Sequence, residues 1–297
     1  MNIAVFAREL SPDNYDKFQS LMSTIAHKGL TCGFYRDFYE KLPHNLKSAT
    51  NAEYLFDTLV ELPHKVDILL SLGGDGTLLN SLRVVQDLDI PVAGINFGRL
   101  GFLTATKLGE SCDKLVDNLI ANNYSIIERA TLKVSSKEID KSFFAYALNE
   151  ISIHRIDASM LSIDLNINGL SLPTYWADGI IVATPTGSTA YNLSVGGPLA
   201  TPDSKVTIIS PIAPHNLNVR PLIVPEGSKV DILTHSRSGY YSLNMDNIDI
   251  RLSCEYPLTI ENGEFKLKTI NMSDTNFFDV INEKLLWGED RRNNLFK

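Results

Sequence analysis

The segment Ser71-Leu72-Gly73-Gly74-Asp75-Gly76-Thr77 offers the clearest chemistry in this 297-residue chain. Three glycines lie between an apolar run and a helical pattern, so backbone N–H groups and a helix start can meet a phosphate closely. A carboxylate beside that anion would repel it and therefore needs a purpose. Asp75 could take a proton from an attacking hydroxyl, or bind a metal carried by the phosphates. The alternative is a tight turn in which Asp75 only caps the helix.

This glycine loop differs from two other phosphate-binding motifs. The chain contains no Gly-Lys pair, which excludes a Walker A loop. Leu79 stands where the dinucleotide fingerprint has its third glycine, which excludes that motif too. The glycine loop around Asp75 is therefore predicted to be a phosphate-binding site of a different type.

A second polar segment, Asp178–Ser194, has an apolar run, a Pro/Gly turn and a helix start rich in hydroxyl groups. Neutral donors and acceptors of this kind suit ribose and amide groups. Alternatively, the hydroxyls are ordinary helix caps and Tyr191 belongs to the core. A serine-hydrolase elbow is excluded at Ser194, because Asn192 stands where that motif has its first glycine.

Two shorter segments could also bind a ligand. Asn149-Glu150 places an amide beside a carboxylate within an apolar strand pattern, and the pair could bind adenine and ribose hydroxyls. A solvated strand edge is the alternative. Gly94–Phe102 brings one arginine and two phenylalanines to a strand end, where core packing of the rings is the alternative.

Composition narrows the classes of function. The chain is 44% hydrophobic and 21% charged, which is typical of globular proteins. Its net charge of −8 argues against nucleic acid as a partner. The six histidines lack metal-ligand spacing, so we assign them no metal.

Cysteine usage and the chain's start predict a cytoplasmic protein. Cys32, Cys112 and Cys254 lie far apart without CxxC spacing, so neither a zinc site nor a disulfide framework is expected. The first residues read as a strand rather than a signal peptide. Pro and Gly interrupt the charge-free stretch 179–202, so we expect no membrane span.

The first part of the chain must position the glycine loop, and it alternates strand and helix. Apolar residues at helical spacing predict a helix that begins at Pro12 and stops before Gly29, and Thr77–Leu88 predicts another. The predicted strands are Asn2–Ala7, Thr31–Tyr35, Val66–Leu72 and Pro91–Ile95. This pattern predicts a Rossmann-like, doubly wound α/β domain.

The later part changes to short alternating runs, which predict a mostly antiparallel β domain. A helix is expected at Ser188–Val195, and a last helical pattern ends at Gly288, before a frayed tail. That helix needs a surface for its apolar stripe, so it should return to the first domain. The predicted strands are Thr131–Val134, Phe143–Ile153, Leu161–Asn166, Lys229–Leu233, Tyr240–Met245, Leu258–Glu261 and Phe265–Ile270. The domains are then 1–124 with 271–297, and 125–270.

Together with Ser210–Pro225, these segments resemble the NAD kinase family in order and approximate spacing, over roughly Val66 to Trp287. The glycine-aspartate-glycine loop is also found in diacylglycerol and sphingosine kinases and in phosphofructokinases. The run Thr184–Tyr191 looks specific to NAD kinases and decides the resemblance.

The resemblance implies transfer of the γ-phosphate of ATP to the adenosine 2′-hydroxyl of NAD, giving NADP and ADP. Asp75 would accept the proton, and Asn149 and Glu150 would bind the adenosine part. Mg²⁺ or another divalent cation would arrive on ATP. The phosphate loop would be Gly73, Gly74, Gly76 and Thr77. The other implied binding residues are Asn96, Phe102, Asp178, Ser188, Thr189, Ala190, Tyr191, Asn192, Leu193, Ser194 and Asn247.

The chain departs from the family pattern at three places. Asn80 stands where many relatives have Arg, and Trp176 stands where relatives often have a basic residue. Asp246-Asn247-Ile248 replaces a usual Asp-Gly-Gln. The alternatives are a lipid or sphingoid-base kinase, which would need an apolar pocket, and a non-catalytic dinucleotide sensor.

A homodimer or homotetramer is also expected. The second domain has many strand edges to cover, and Tyr240-Tyr241 lie among them. Members of the family that the chain resembles assemble in this way too.

Overall fold

The computed structural model describes residues 1–62, 66–97, 101–104, 106–107, 111–272 and 276–286. These residues form two compact units. The first contains Met1–Leu78, Ile90–Ile126 and the described residues from Ile270 onward, and the second contains Leu79–Asp89 and Ile127–Thr269. Residues 79–89 thus belong to the second unit, whereas the alternating strand and helix pattern predicts them in the first domain.

The first unit is built on a parallel sheet. Its strands are β1 (Asn2–Phe6), β2 (Thr31–Tyr35), β3 (Tyr54–Phe56), β4 (Ile68–Leu72), β5 (Val92–Asn96) and the short β6 (Thr106–Lys107). The spatial order is β3-β2-β1-β4-β5, with β6 beside β5, and every pairing is parallel. All five residues of β4 are buried, as expected for a strand covered on both faces. The α/β prediction for this part is confirmed.

Four helices lie between these strands in the described part of the chain, and a fifth follows β6. They are α1 (Tyr15–His27), α2 (Arg36–Lys41), α3 (His44–Thr50), α4 (Asp75–Val85) and α5 (Cys112–Ile120). Helix α1 buries Phe18, Leu21, Met22 and Ile25, four of the residues whose spacing predicted it. A 3-10 turn at Pro12–Asn14 delays its start. Helix α4 ends before the predicted Leu88, because Gln86 adopts a left-handed backbone (φ 52°).

The second unit is mostly β, as predicted. One of its sheets has the order β15-β14-β13-β9-β17-β18, and neighbouring strands in it are antiparallel. Elsewhere β10 pairs antiparallel with β11, β12 and β16, and β16 pairs with β19. The strands are β7 (Ser125–Ser135), β8 (Tyr146–Ala147), β9 (Glu150–His154), β10 (Leu161–Ile167), β11 (Leu170–Ser171), β12 (Tyr175–Ala177), β13 (Gly179–Ala183), β14 (Val206–Ile212), β15 (Leu222–Pro225), β16 (Val230–His235), β17 (Tyr240–Met245), β18 (Ile248–Ser253) and β19 (Leu258–Asn271).

Three predictions for this unit need correction. The predicted strand Phe143–Ile153 is broken between β8 and β9, where backbone N–H groups bond to a side chain instead of a neighbouring strand. Leu258–Glu261 and Phe265–Ile270 are one strand, β19. The helix expected at Ser188–Val195 is a 3-10 turn, Thr186–Thr189, followed by the short helix α6 (Tyr191–Ser194).

The last helix, α7 (Phe277–Leu285), belongs to the first unit. Asn276 begins it with a capping box: its side chain accepts from the Phe278 and Asp279 N–H groups, and its own N–H donates to Asp279 Oδ2. Gly288 and the tail predicted to fray lie outside the described residues. In the described part of the chain, no helix is long and apolar enough to cross a membrane.

Candidate functional site

Asp75 is the first residue of α4, and its carboxylate holds the segment 102–104. Oδ2 accepts the Phe102 N–H at 2.8 Å. Oδ1 accepts the Leu103 N–H at 3.1 Å and both the N–H and the hydroxyl of Thr104 at 3.0 Å. Among the described residues Oδ2 therefore has one donor and Oδ1 three. The carboxylate is fixed in orientation, and Oδ2 has the greater remaining capacity to accept a proton.

The glycines around Asp75 have two different roles. A Cβ at Gly101 would lie 1.9 Å from Asp75 Oδ1, so only glycine allows this approach. Gly73 has a φ of +150°, and a Cβ there would lie 2.3 Å from Thr77 Oγ1. Gly74 and Gly76 are exposed, and the described residues leave open space where a Cβ would stand. The loop is thus rigid at one end and open to a ligand at the other.

Two further predicted residues lie next to this segment. Asn96 ends β5, and its side-chain amide donates to Thr104 Oγ1 at 3.4 Å. Phe102 is half-buried and contributes its N–H to Asp75. The intervening Gly98-Arg99-Leu100 lie outside the described residues. Both residues therefore support the carboxylate.

In the second unit, a carboxylate holds the Asn149-Glu150 pair at the start of β9. Asp246 accepts the N–H groups of Leu148 and Asn149 at 2.8 Å and that of Glu150 at 3.2 Å. Sequence reasoning missed this role. Asp246 lies almost one hundred residues from the pair, and no local spacing connects them.

Glu150 is a buried acid, 8% exposed, and its Oε2 has no hydrogen-bond partner within the described part of the chain. Burial and, to a smaller extent, the negative charge of Asp246 raise the pKa of its carboxyl to about 8, against the opposing effect of the Tyr191 N–H. At neutral pH Glu150 is therefore mostly protonated. It can donate a hydrogen bond to a ligand as well as accept one.

Glu150→Gln should remove a pH dependence of stability. Because the folded protein binds this proton more tightly than the unfolded chain, stability falls as pH rises from about 4.5 to about 8. The pKa of Asp246 is raised to about 6, so above about pH 7 Glu150 is the acid of this pair that still titrates. We expect the wild type to lose up to about 1.4 kcal/mol per pH unit there relative to Glu150→Gln in urea titrations. Glu128→Gln, at an exposed glutamate, is the control and should keep the wild-type dependence of unfolding free energy on pH. The same dependence in Glu150→Gln as in the wild type, or its loss in Glu128→Gln, would contradict this prediction.

The hydroxyl-rich turn after β13 docks on the same pair. Thr184 donates its N–H to the Asn149 carbonyl at 2.9 Å and its hydroxyl to the Leu148 carbonyl at 2.6 Å. Its hydroxyl also accepts the Gly187 N–H at 3.1 Å. A Cβ at Gly187 would lie 2.1 Å from the Asn149 carbonyl oxygen, so the turn approaches Asn149 as closely as glycine permits.

Two of the predicted binding residues instead stabilise this turn. Ser188 is fully buried, and its hydroxyl donates to the Ala200 carbonyl and accepts the Ala200 N–H. Asn192 is also fully buried; its Oδ1 accepts the Ser210 hydroxyl at 2.6 Å and its Nδ2 donates to the Pro198 carbonyl at 3.0 Å. Their polar groups bond inside the protein.

The other residues of the turn remain accessible. Tyr191 is 37% exposed and stacks on His154, with ring centroids 5.6 Å apart. It therefore does not belong to the core. Ser194 is exposed, whereas Thr189, Ala190 and Leu193 are half-buried. These side chains could contact a ligand.

Asp178 lies at the opposite end of β13 from this turn, separated by roughly 15–20 Å of extended strand. Its Oδ1 forms a salt bridge with Arg155 Nε at 3.0 Å. Asp178 and Trp176 both line a cavity of about 850 Å³, together with Arg155, His215 and Arg237. The structure thus does not bring Asp178 together with Tyr191 within one subunit.

Two departures from the expected family pattern contact each other. Asn247 donates its side-chain amide to Asn80 Oδ1 at 2.7 Å. The family resemblance leads us to expect an arginine at position 80 and a glycine at position 247, so this hydrogen bond joins two residues that depart from that expectation. Asn247 itself is exposed.

Family models match both halves of the chain. Residues 4–124 match the ATP-NAD kinase N-terminal domain, and residues 148–272 match the ATP-NAD kinase C-terminal domain. The NAD kinase of Flavobacterium psychrophilum is 36% identical over 296 residues, 99% of this chain and 100% of the relative. The NAD kinase of Bacteroides fragilis is 37% identical over 293 residues, covering 98% and 100%.

Solved structures share the fold. The chain is similar to yeast NADH kinase complexed with NADH, with a TM-score of 0.85 and 24% identity, covering 98% of this chain and 89% of that one. It is also similar to an NAD kinase from Archaeoglobus fulgidus in complex with ATP, with a TM-score of 0.70 and 23% identity, covering 96% and 99%. At these identities the likeness shows the fold alone.

Proposed function

The chain belongs to the ATP-NAD kinase family, and we propose that it transfers the γ-phosphate of ATP to the adenosine 2′-hydroxyl of NAD, giving NADP and ADP. The observation that carries the proposal is the Asp75 carboxylate. It is held by four donors beside an open glycine loop, and Oδ2 has the fewest of them. A fixed acceptor next to a phosphate site suits a kinase that activates a hydroxyl.

In this mechanism Asp75 Oδ2 accepts the proton of the 2′-hydroxyl as the hydroxyl oxygen attacks the γ-phosphorus. The bond between that phosphorus and the bridging oxygen breaks, and ADP leaves. We assign Gly73, Gly74, Gly76 and Thr77 to the phosphate loop, in which the exposed backbone at Gly74 and Gly76 and the start of α4 face the phosphates. The N–H groups of Gly73 and Thr77 donate to the Ile95 and Gly74 carbonyls and hold the loop in shape. The segment from β4 through α4 contains one carboxylate, which fits a Mg²⁺ ion that keeps its waters and phosphate ligands.

NAD binding falls to residues of the second unit. Asn149 and Glu150 offer an amide and a protonated carboxyl to the adenosine part. We assign adenine and ribose contacts to Thr189, Ala190, Tyr191, Leu193 and Ser194, with Ser188 and Asn192 keeping the turn in shape. Asp178 is proposed for the nicotinamide riboside. Asn247 is proposed as a peripheral contact, and Asn96 and Phe102 as supports of the phosphate loop.

Tyr191→Ala and Asn149→Ala should weaken NAD binding far more than ATP binding. Both residues lie in the segments proposed for NAD rather than in the glycine loop. Separate calorimetric titrations of NAD and of a non-hydrolysable ATP analogue would measure this. We expect losses of about tenfold for NAD and little change for the analogue. A larger loss for the ATP analogue would mean that the two sites are exchanged.

The family assignment favours NAD over a lipid or sphingoid base as acceptor. Asp75 also favours an enzyme over a non-catalytic dinucleotide sensor, because a sensor needs no proton acceptor. The test supplies the purified protein with ATP and Mg²⁺ together with NAD, sphingosine or diacylglycerol in separate reactions. NADP in the reaction with NAD, and no phosphorylated product in the two lipid reactions, supports the proposal. A phosphorylated lipid, or no product in any reaction, overturns it.

We also propose a homodimer or homotetramer that assembles through the second unit, in which Asp178 of one subunit reaches the site of another. Trp176 and Tyr240 are 46% and 43% exposed, and aromatic side chains favour interfaces. Tyr241, which the sequence analysis paired with Tyr240, is buried.

Dilution should therefore lower the specific activity as subunits separate. Sedimentation and activity measured on the same dilution series would follow both quantities. We expect them to fall together, and a fully active monomer would overturn this proposal.

We place the protein in the cytoplasm as a further proposal. Cys32, Cys112 and Cys254 are free thiols, and free cysteines suit a reducing compartment.

A further inference from the structure

We propose that Asp246 is a positioning residue for NAD, which holds Asn149 and Glu150 in the orientation that binds the adenosine part. It acts through this pair and does not itself touch the substrate. The inference rests on the proposed function.

The hydrogen bonds of Asp246 replace those of a strand. Strand β8 ends at Ala147 and β9 begins at Glu150, so the chain breaks its pairing at the pair that is proposed to bind NAD. Leu148 is fully buried and Asn149 is 9% exposed. Within the described residues, the Asp246 carboxylate is the acceptor for both of their N–H groups, and leaving buried N–H groups unpaired is costly. The carboxylate therefore fixes the backbone at this break.

The conformation of Asp246 shows that a turn alone does not explain the residue. Asp246 and Asn247 connect β17 to β18, and Asp246 has a left-handed φ of 52°. Glycine, asparagine and aspartate all adopt this conformation in hairpin turns, so the turn by itself does not require a carboxylate. The three hydrogen bonds that the carboxylate accepts from residues 148–150 give it a second role.

Arg83 and Asn80, two residues of α4, hold the Asp246 carboxylate and its turn in place. The guanidinium of Arg83 attracts the Asp246 carboxylate, and Arg83 also donates to the Phe144 carbonyl at 3.0 Å. The turn is tied a second time by Asn247, which donates to Asn80. Residues of α4 and of the β17–β18 turn therefore lock the backbone that presents Asn149 and Glu150.

Two substitutions separate the anchor from the turn. Asp246→Asn keeps the shape of the side chain and one of its acceptor oxygens. Asp246→Gly removes both side-chain oxygens, and glycine adopts the left-handed backbone without strain. We expect the KM for NAD to rise in the order wild type, Asn, Gly, by about tenfold or more for Gly. The KM for ATP, and kcat at saturating NAD, should change much less. Asp140→Asn removes an exposed carboxylate that accepts the Ser142 N–H in a turn, and it should leave all three values unchanged.

Thermal unfolding of each variant checks that the assays compare folded proteins. If Asp246→Gly does not fold, Asp246→Asn carries the test, because it preserves the shape of the side chain. If Asp246→Asn and Asp246→Gly both fold and keep the wild-type KM for NAD, the inference is overturned. An Asp246→Gly protein that binds NAD as tightly as the wild type would overturn it as well. A wild-type protein that makes no NADP would overturn the proposed function and this inference with it.

Discussion

Asp75→Asn is expected to lower kcat by about 10²–10⁴ while the fold and the affinity for NAD stay close to those of the wild type. An amide oxygen can keep the three donors that Oδ1 has now, so the segment 102–104 should remain held. The amide nitrogen then takes the place of Oδ2 and faces the Phe102 N–H. An amide is also far too weak a base to accept a hydroxyl proton.

The measurement combines kcat, an NAD titration and thermal unfolding on one preparation. Asp117→Asn, an exposed carboxylate of the first unit paired with Lys28, serves as the control and should keep full activity. A near-normal rate in Asp75→Asn would rule out Asp75 as the proton acceptor. Loss of folding would instead show that its hydrogen bonds to segment 102–104 are its principal role.

The second large effect is expected for Gly187→Ala. The added Cβ would lie 2.1 Å from the carbonyl oxygen of Asn149, and a backbone atom cannot move aside as a flexible side chain can. The hydroxyl-rich turn must then separate from the Asn149-Glu150 pair. We expect a loss of about 1–3 kcal/mol or more in unfolding free energy. The affinity for NAD should fall by about tenfold or more, with little change for ATP.

Gly76→Ala is the matched control for the steric argument. It adds the same methyl group in the first turn of α4, where the described part of the chain places no atom from beyond this turn within 4 Å of the new Cβ, so stability should not fall. Urea titration of both variants gives the comparison. Gly187→Ala with wild-type stability and wild-type NAD affinity would show that the close approach to Asn149 is dispensable.

The sequence predicted the parts of the fold that periodic patterns control. Strand β2 has the predicted bounds, and the apolar stripe of α1 is buried as expected. Strand β14 was not predicted, because Ser210 and Pro211 interrupt its apolar run. The pairing of β14 with β15 ends at Ile209. Pro211, which has no N–H group, therefore lies beyond the hydrogen bonds between these two strands.

The site was predicted in part, for similar reasons. Asp75 stood out because a carboxylate in a glycine loop is chemically unusual. In an irregular turn, tertiary contacts decide which hydroxyl and amide groups point into the protein. The sequence therefore could not distinguish the buried Ser188 and Asn192 from the exposed Tyr191. In the sequence, Asp246 is marked only by the run Asp246-Asn247-Ile248, which departs from the Asp-Gly-Gln expected for the family. Its partners lie across the sheet rather than nearby in the chain.

The central claim is that this chain phosphorylates the adenosine 2′-hydroxyl of NAD, and the position of the new phosphate tests it most directly. The purified protein is incubated with ATP, Mg²⁺ and NAD, and the product is examined by phosphorus NMR and with an NADP-specific dehydrogenase. We predict a 2′-phosphate, accepted by the dehydrogenase and absent with Asp75→Asn. ATP consumption without NADP, or a phosphate on another hydroxyl, would contradict the account.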